Sequence, residues 1–145
     1  EFVHDIDISW LPKDLKLKEE LLKMKEKKYI FTNGSQSHVE NVTKQLGIDG
    51  LFDGSFTITD ANFIPKPHIE PYERIIEKFD LDPKKSILIE DIAHNLEQAK
   101  KLGMKTCWLE NNERFAKKDA DKPYIDYKIK NLPSFLQEIN ILKAA

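Results

Sequence analysis

At 145 residues, 40% hydrophobic and 33% charged, the chain has enough apolar material for one ordinary globular domain with a real core. Its net charge of −2, with lysines spread along the chain, gives no electrostatic footprint for a nucleic acid polymer. The single Cys107 excludes an internal disulfide or thiolate zinc cluster, and no apolar run approaches the roughly 20 residues of a membrane span. With no signal-peptide apolar region at the amino terminus, the expectation is a cytoplasmic protein in a reducing compartment, without a membrane partner.

In chain order, residues 1–14 read as an irregular lead-in that closes on the turn Leu11-Pro12-Lys13-Asp14. A helix follows from about Leu15 to Glu26 with Leu17, Leu21 and Met24 as its apolar stripe, and the lysine-rich run from Lys23 to Lys28 reads as its outer face and end. Tyr29-Ile30-Phe31-Thr32 predicts a short strand, broken by Asn33-Gly34-Ser35 before Ser37 and Glu40 spell a capping box. That helix carries Val39, Val42 and Leu46 and stops at Gly47. Ser55 to Ile58 predicts a second strand, and Tyr72, Ile75, Ile76 and Phe79 a third helix with Pro71 near its start. Ile87-Leu88-Ile89 has no polar break and predicts a strand buried on both faces, followed by a helix from Ala93 to Leu102 and a stop at Gly103. Lys105 to Leu109 predicts a strand in which Cys107 is a small buried residue, Asn111 to Lys122 a polar surface loop, and Tyr127 to Ile129 a last strand. Phe135, Leu136, Ile139 and Leu142 predict a closing amphipathic helix. The alternation of strand and helix predicts an α/β fold with a mainly parallel sheet, as a single domain over residues 1–145.

Three strand ends carry polar residues of interest. Glu90 and Asp91 stand side by side at the carboxyl end of the Ile87 strand, where ligands bind in open α/β sheets; they repel, and a hard cation such as Mg²⁺ would keep both ionised. The alternative is that Asp91 or Asn95 merely caps the following helix. Thr32-Asn33-Gly34-Ser35 offers a hydroxyl and backbone N–H groups at a helix start, suited to phosphate, though any strand-to-helix turn has this spelling. Lys66, fixed between Pro65 and Pro67, suits an ammonium that must point at one spot, or is an exposed lysine of a rigid loop.

Taken together, Thr32 after an apolar strand, Lys66 in a Lys-Pro loop and Glu90-Asp91 followed by Asn95 resemble, in order, motifs two, three and four of the haloacid dehalogenase superfamily of phosphohydrolases. The segments at residues 2–7, 31–35 with His38, 46–48 with Phe52-Asp53, 65–67, and Asn95-Leu96 with Leu102 to Thr106 look like its pyrimidine 5'-nucleotidase branch. The resemblance implies a Rossmann-like three-layer sandwich, Mg²⁺ as cofactor, and hydrolysis of a phosphate monoester through an aspartyl-phosphate, on a nucleotide or another small phosphorylated metabolite. It implies that Thr32 and the backbone of Asn33 and Gly34 bind phosphate, that Lys66 neutralises the phosphoryl group, that Asp91 ligates the metal with Glu90 beside it, and that Asn95 orients the loop. His38 lies close enough to reach substrate but reads as a surface histidine, and His4, His68 and His94 read as structural.

The family's first motif is an aspartate nucleophile followed two residues later by an acid/base aspartate, at the end of a buried central strand. Asp5-Ile6-Asp7 has the spelling, but only Phe2 and Val3 precede it as apolar residues, and the segment resembles the linker that returns from the cap domain to the core. The expectation is therefore a chain without the first-motif strand and cap, either a fragment or a degenerate member; the competing reading is a capless phosphatase using Asp5 as nucleophile and Asp7 as acid/base. Two functions follow, a phosphatase or a catalytically silent module that binds phosphate and Mg²⁺ or a protein partner. In the family the missing strand lies between the strands ending at Thr32 and Glu90. Its slot must be entered by Phe2 to Ile8, closed by direct pairing of those strands, or filled by strand exchange in a homodimer, and the alternating pattern of Phe2 to Ile8 argues against the first. Lys66 and Asp91 lie outside every apolar stripe, so Lys66→Ala and Asp91→Asn are expected to leave the fold intact.

Overall fold

The computed structural model describes residues 11–144, so Asp5, Asp7 and His4 lie outside the described residues, as does the entry of Phe2 to Ile8 into a sheet. The chain divides into two compact units, Glu1–Phe63 with Pro133–Ala145, and Ile64–Leu132.

In the first unit, helix α1 (Leu15–Lys23) starts where the Asp14 carboxylate accepts the Leu17 N–H at 3.0 Å, and buries Leu17 and Leu21. It ends short of Glu26 because Met24 turns extended, and Lys28 donates to the carbonyls of Met24 and Glu26 at 3.1 and 3.3 Å. Strand β1 (Tyr29–Phe31) runs parallel to β2 (Gly54–Phe56), with Ile30 opposite Ser55, and Phe31 meets the buried Phe56 edge to face at 5.6 Å. Between them α2 (Gln36–Leu46) is capped by Ser35, whose hydroxyl accepts the His38 N–H at 3.1 Å, and not by the expected Ser37. Ser35 is already extended, so the Asn33-Gly34 turn ends and the helix begins earlier than the capping-box spelling suggests. The helix stops as expected at Gly47, whose φ of 78° is left-handed.

Helix α6 (Leu132–Ala144) turns Leu136 and Asn140, four residues apart on one face, inward; Leu142 falls off that face and is 76% exposed, against the expected stripe. Asn140 donates to both the backbone carbonyl and the carboxylate of the fully buried Glu20 at 3.1 and 3.2 Å, and Lys16 and Lys23 lie within 3.6 and 3.5 Å of the same carboxylate. The bond from Asn140 does most to hold the Glu20 carboxyl below its ordinary range, with the two lysines assisting against the effect of burial.

The second unit holds α3 (Ile69–Lys78), which buries Tyr72 and Ile75, and a parallel sheet of β3 (Ile87–Glu90), β4 (Lys105–Leu109) and β5 (Tyr127–Ile129) in that order. The strand buried in this sheet is β4, with Thr106, Cys107 and Trp108 all buried; burial pushes the Cys107 thiol up to about 11, so it is inert near neutral pH. β3 is only half-buried and its Ile87 is 41% exposed, contrary to the expected burial on both faces. It pairs on one side alone, with β4, while β1 pairs with β2, so direct pairing of β1 with β3 does not occur among the described residues. The expected helix from Ala93 is a 3₁₀ turn (Ala93–Leu96) continued by α4 (Glu97–Lys101), with Gly103 beyond it at φ 102°. The polar stretch after Asn111 holds a short helix, α5 (Arg114–Lys117), which buries Ala116. Asp126 ties β5 back to the sheet, accepting from the Thr106 N–H at 2.9 Å and from Lys100 at 2.7 Å. All strand pairs among the described residues are parallel, which makes this an α/β fold with parallel sheets.

Candidate phosphate and cation sites

In the first unit the candidate site is the loop that leaves β1. The Thr32 hydroxyl oxygen accepts the Gly34 N–H at 2.9 Å, which leaves its proton free to donate to an incoming oxygen. A Cβ at Gly34 would lie 3.2 Å from both the Thr32 hydroxyl oxygen and the His38 ring, so any larger residue there requires one of these side chains to give way. Its carbonyl accepts the Ile58 N–H at 3.0 Å, which fixes the loop to the segment after β2. Ser35 satisfies the third amide of α2, and helix geometry leaves the amides of Gln36 and Ser37 without an intrahelical acceptor, at the positive end of the helix dipole. This combination suits an anion. His38, read from sequence as a surface residue, is half-buried with its ring against Gly34. The signal was in the cap: once Ser35 starts the helix, His38 falls in its first turn, beside the loop.

In the second unit the site is built of charge. Lys66 is 7% exposed, and its ammonium lies 2.9 Å from Glu90 Oε1, which also accepts from the Asn95 side-chain amide at 2.9 Å. The other Glu90 oxygen accepts the Asp91 N–H at 3.2 Å. Asn95 is held in turn by the fully buried Tyr72, whose hydroxyl donates to the Asn95 carbonyl at 2.5 Å. Burial first, and then the Glu90 charge, push the Tyr72 hydroxyl far up, so it stays a neutral donor. The structure thus brings Lys66, Glu90 and Asn95 together, and it corrects the expectation that Lys66 is a loop side chain without a part in packing. The loop folds inward onto the carboxyl end of β3, where the ion pair replaces the water both charges lose.

Asp91 is different. Its carbonyl accepts the Trp108 indole N–H at 2.8 Å, so β4 fixes its backbone, while its side chain is exposed and has no hydrogen-bond partner among the described residues. Trp108 sits with Ala93 and Leu96 in a buried cluster beneath this turn. Mg²⁺ binds through one or two carboxylates with waters and substrate phosphate, and Asp91 fits that demand; the Glu90 oxygens are already committed to three donors. No group of three or more His, Cys, Asp or Glu able to hold a metal occurs among the described residues. His68 precedes α3 without a side-chain cap, and the His94 Nδ1 is buried without a partner among the described residues.

Known proteins share this chain's pattern. It is 27% identical over 139 residues to a glyceraldehyde 3-phosphate phosphatase of Pyrococcus furiosus, covering 92% of this chain and 57% of that protein. To the pyrophosphatase PpaX of Bacillus mycoides it is 30% identical, covering 84% and 57%. The chain therefore spans little more than half the length of these relatives. The fold is similar to that of a HAD phosphatase from Thermococcus onnurineus, with a TM-score of 0.67 at 23% identity over 96% of this chain and 65% of that one. No helix among the described residues is long and apolar enough to cross a membrane. The family model described as haloacid dehalogenase-like hydrolase matches residues 5–109, and the chain belongs to that family.

Proposed function

We propose that this chain carries the phosphate- and cation-binding part of a Mg²⁺-dependent phosphate monoester hydrolase acting on a small phosphorylated metabolite, with a nucleotide as the favoured class. The observation that carries the reading is the buried Lys66–Glu90–Asn95 cluster beside the exposed Asp91 carboxylate at the end of β3. A buried ammonium anchored by Glu90 keeps a fixed direction, and its positive charge suits neutralisation of a phosphoryl group. Thr32 donates its hydroxyl proton to a phosphate oxygen, and the amides of Asn33 and Gly34 add donors or shape the loop. Asp91 would hold the cation, which when bound would supply charge neutralisation for the phosphate, while Glu90 balances Lys66 beside it. Asn95, fixed by Tyr72, orients Glu90. The names of the two relatives, one a phosphatase and one a pyrophosphatase, support phosphoryl chemistry and leave the nucleotide preference resting on the sequence resemblance.

The nucleophile is assigned to Asp5 with Asp7 as acid/base, or to residues outside this chain. Release of phosphate from p-nitrophenyl phosphate and from nucleoside monophosphates, measured with Mg²⁺ on this protein and on Asp5→Asn, separates these. Turnover abolished by the substitution makes Asp5 the nucleophile. Phosphate binding without any turnover makes the chain a silent binding module, and absence of both phosphate and Mg²⁺ binding overturns the proposal.

A further inference from the structure

The segment after β2 is built more firmly than a connecting turn requires. The Thr57 N–H and hydroxyl both donate to one Asp60 carboxylate oxygen, at 2.8 and 3.1 Å, and the amides of Ala61, Asn62 and Phe63 bond to the carbonyls of Thr57, Thr59 and Ile58 at 3.1, 3.0 and 2.8 Å. The last two residues so fixed are left-handed, Asn62 at φ 52° and Phe63 at φ 62°. Asparagine tolerates that conformation; phenylalanine rarely adopts it. Little packing offsets the strain, because Phe63 is 68% exposed. A glycine would adopt this left-handed conformation without the steric penalty that a Cβ brings.

Ile58 also links this aromatic ring to the phosphate loop of the same unit. Its carbonyl accepts the Phe63 N–H and its N–H donates to the Gly34 carbonyl at 3.0 Å, so Phe63 stands two main-chain hydrogen bonds from the residue beside the Thr32 hydroxyl. Strain held by the surrounding backbone, an exposed ring with no folding role and a rigid tie to an anion loop converge on one use. We infer that Phe63 is a specificity residue that stacks on a flat, aromatic part of a phosphorylated ligand, such as a nucleobase, whose phosphate is held at the Thr32–Gly34 loop. This rests on the phosphate reading of that loop given above, and adds to it the residue that selects the organic group.

The test uses the intact protein with Mg²⁺ and two probes, uridine 5'-monophosphate and glycerol 1-phosphate, with affinities measured by calorimetry and melting followed in parallel. Phe63→Gly is expected to weaken the nucleotide about tenfold, the scale of one base stacked on an aromatic ring, and to leave glycerol phosphate unchanged. The same substitution is expected to hold or raise the melting temperature, since it relieves the strain, and Phe63→Tyr is expected to restore nucleotide affinity. Equal affinities of the variant and the parent for the nucleotide overturn the inference, as does a loss of several degrees on melting, which would make Phe63 a structural residue. If the parent binds neither probe, the phosphate reading fails and the inference falls with it; if it binds both and Phe63→Gly weakens them equally, only the inference fails.

Discussion

The two candidate sites are built from different materials. In the first unit the loop after β1 is almost entirely backbone and hydroxyl: Thr32 accepting Gly34, Ser35 accepting His38, Gly34 accepting Ile58. In the second unit the work is done by charges out of water, Lys66 and Glu90 with side chains only 5% and 10% exposed and paired at 2.9 Å. A site of main-chain donors keeps its shape when one side chain is lost, because the amides remain. One made of a buried ion pair does not, because removing one charge strands the other. Stability and function are therefore separable in the loop and coupled in the cluster.

The sharpest way to break this contrast is Lys66→Ala. Against the low cost expected from sequence, it leaves Glu90 buried with Asn95 and the Asp91 amide as its donors among the described residues, so the expected destabilisation is about 3–5 kcal/mol. Urea unfolding of the single variants and of Lys66→Met with Glu90→Leu measures it. The double variant should recover most of the loss, since an apolar pair of similar volume leaves no orphaned charge. A cost below about 1 kcal/mol for Lys66→Ala would show that water reaches the pair and that the two sites do not differ in kind.

What made Lys66 illegible is its range. Its partner lies 24 residues away, and the Pro65-Lys66-Pro67 spelling fixes the backbone without saying which way the ammonium points. Periodicity did better where the local pattern decides: β4 and β5 occur at the predicted bounds, and Gly47 and Gly103 end their helices in left-handed conformations. It failed on β3, because an unbroken apolar run says that a strand can be buried and not which neighbours cover it. Among the described residues β3 pairs with β4 alone, and its Ile87 is exposed. The order of Thr32, Lys66 and Glu90-Asp91 along the chain revealed the family; burial of the cluster, the Ser35 cap and the half-burial of His38 needed coordinates.

A smaller effect is expected in the loop. Ser35→Ala removes the hydroxyl that accepts the His38 N–H and should cost about 1 kcal/mol, within the usual range for a lost helix cap. Because the amides of Gln36 and Ser37 remain, phosphate affinity should fall by less than about threefold, read by phosphate titration of the folded variant. A loss of phosphate binding far beyond the loss of stability would mean that the Ser35 side chain itself holds the anion, and that the loop is not the backbone-built site described here.

The smallest effect on folding, and the most selective on function, is expected at Asp91. Its backbone is secured by Trp108, and its carboxylate is exposed with no protein partner among the described residues. Asp91→Asn keeps the shape of the side chain and removes only its charge, so the change in stability without metal should stay within about 0.5 kcal/mol. Neutralising it also lessens the repulsion from Glu90 next door, which pushes any small change toward stabilisation. With Mg²⁺ the expectation reverses. A cation that binds only the folded protein raises the melting temperature of the parent by mass action, and that rise should largely vanish in the variant, whose amide oxygen is a far weaker ligand for a hard cation. Melting curves of both proteins with and without Mg²⁺ decide the matter. A variant that keeps the full Mg²⁺-induced rise would move the cation away from Asp91, and one that loses several degrees without metal would place Asp91 in the same coupled, structural class as Lys66.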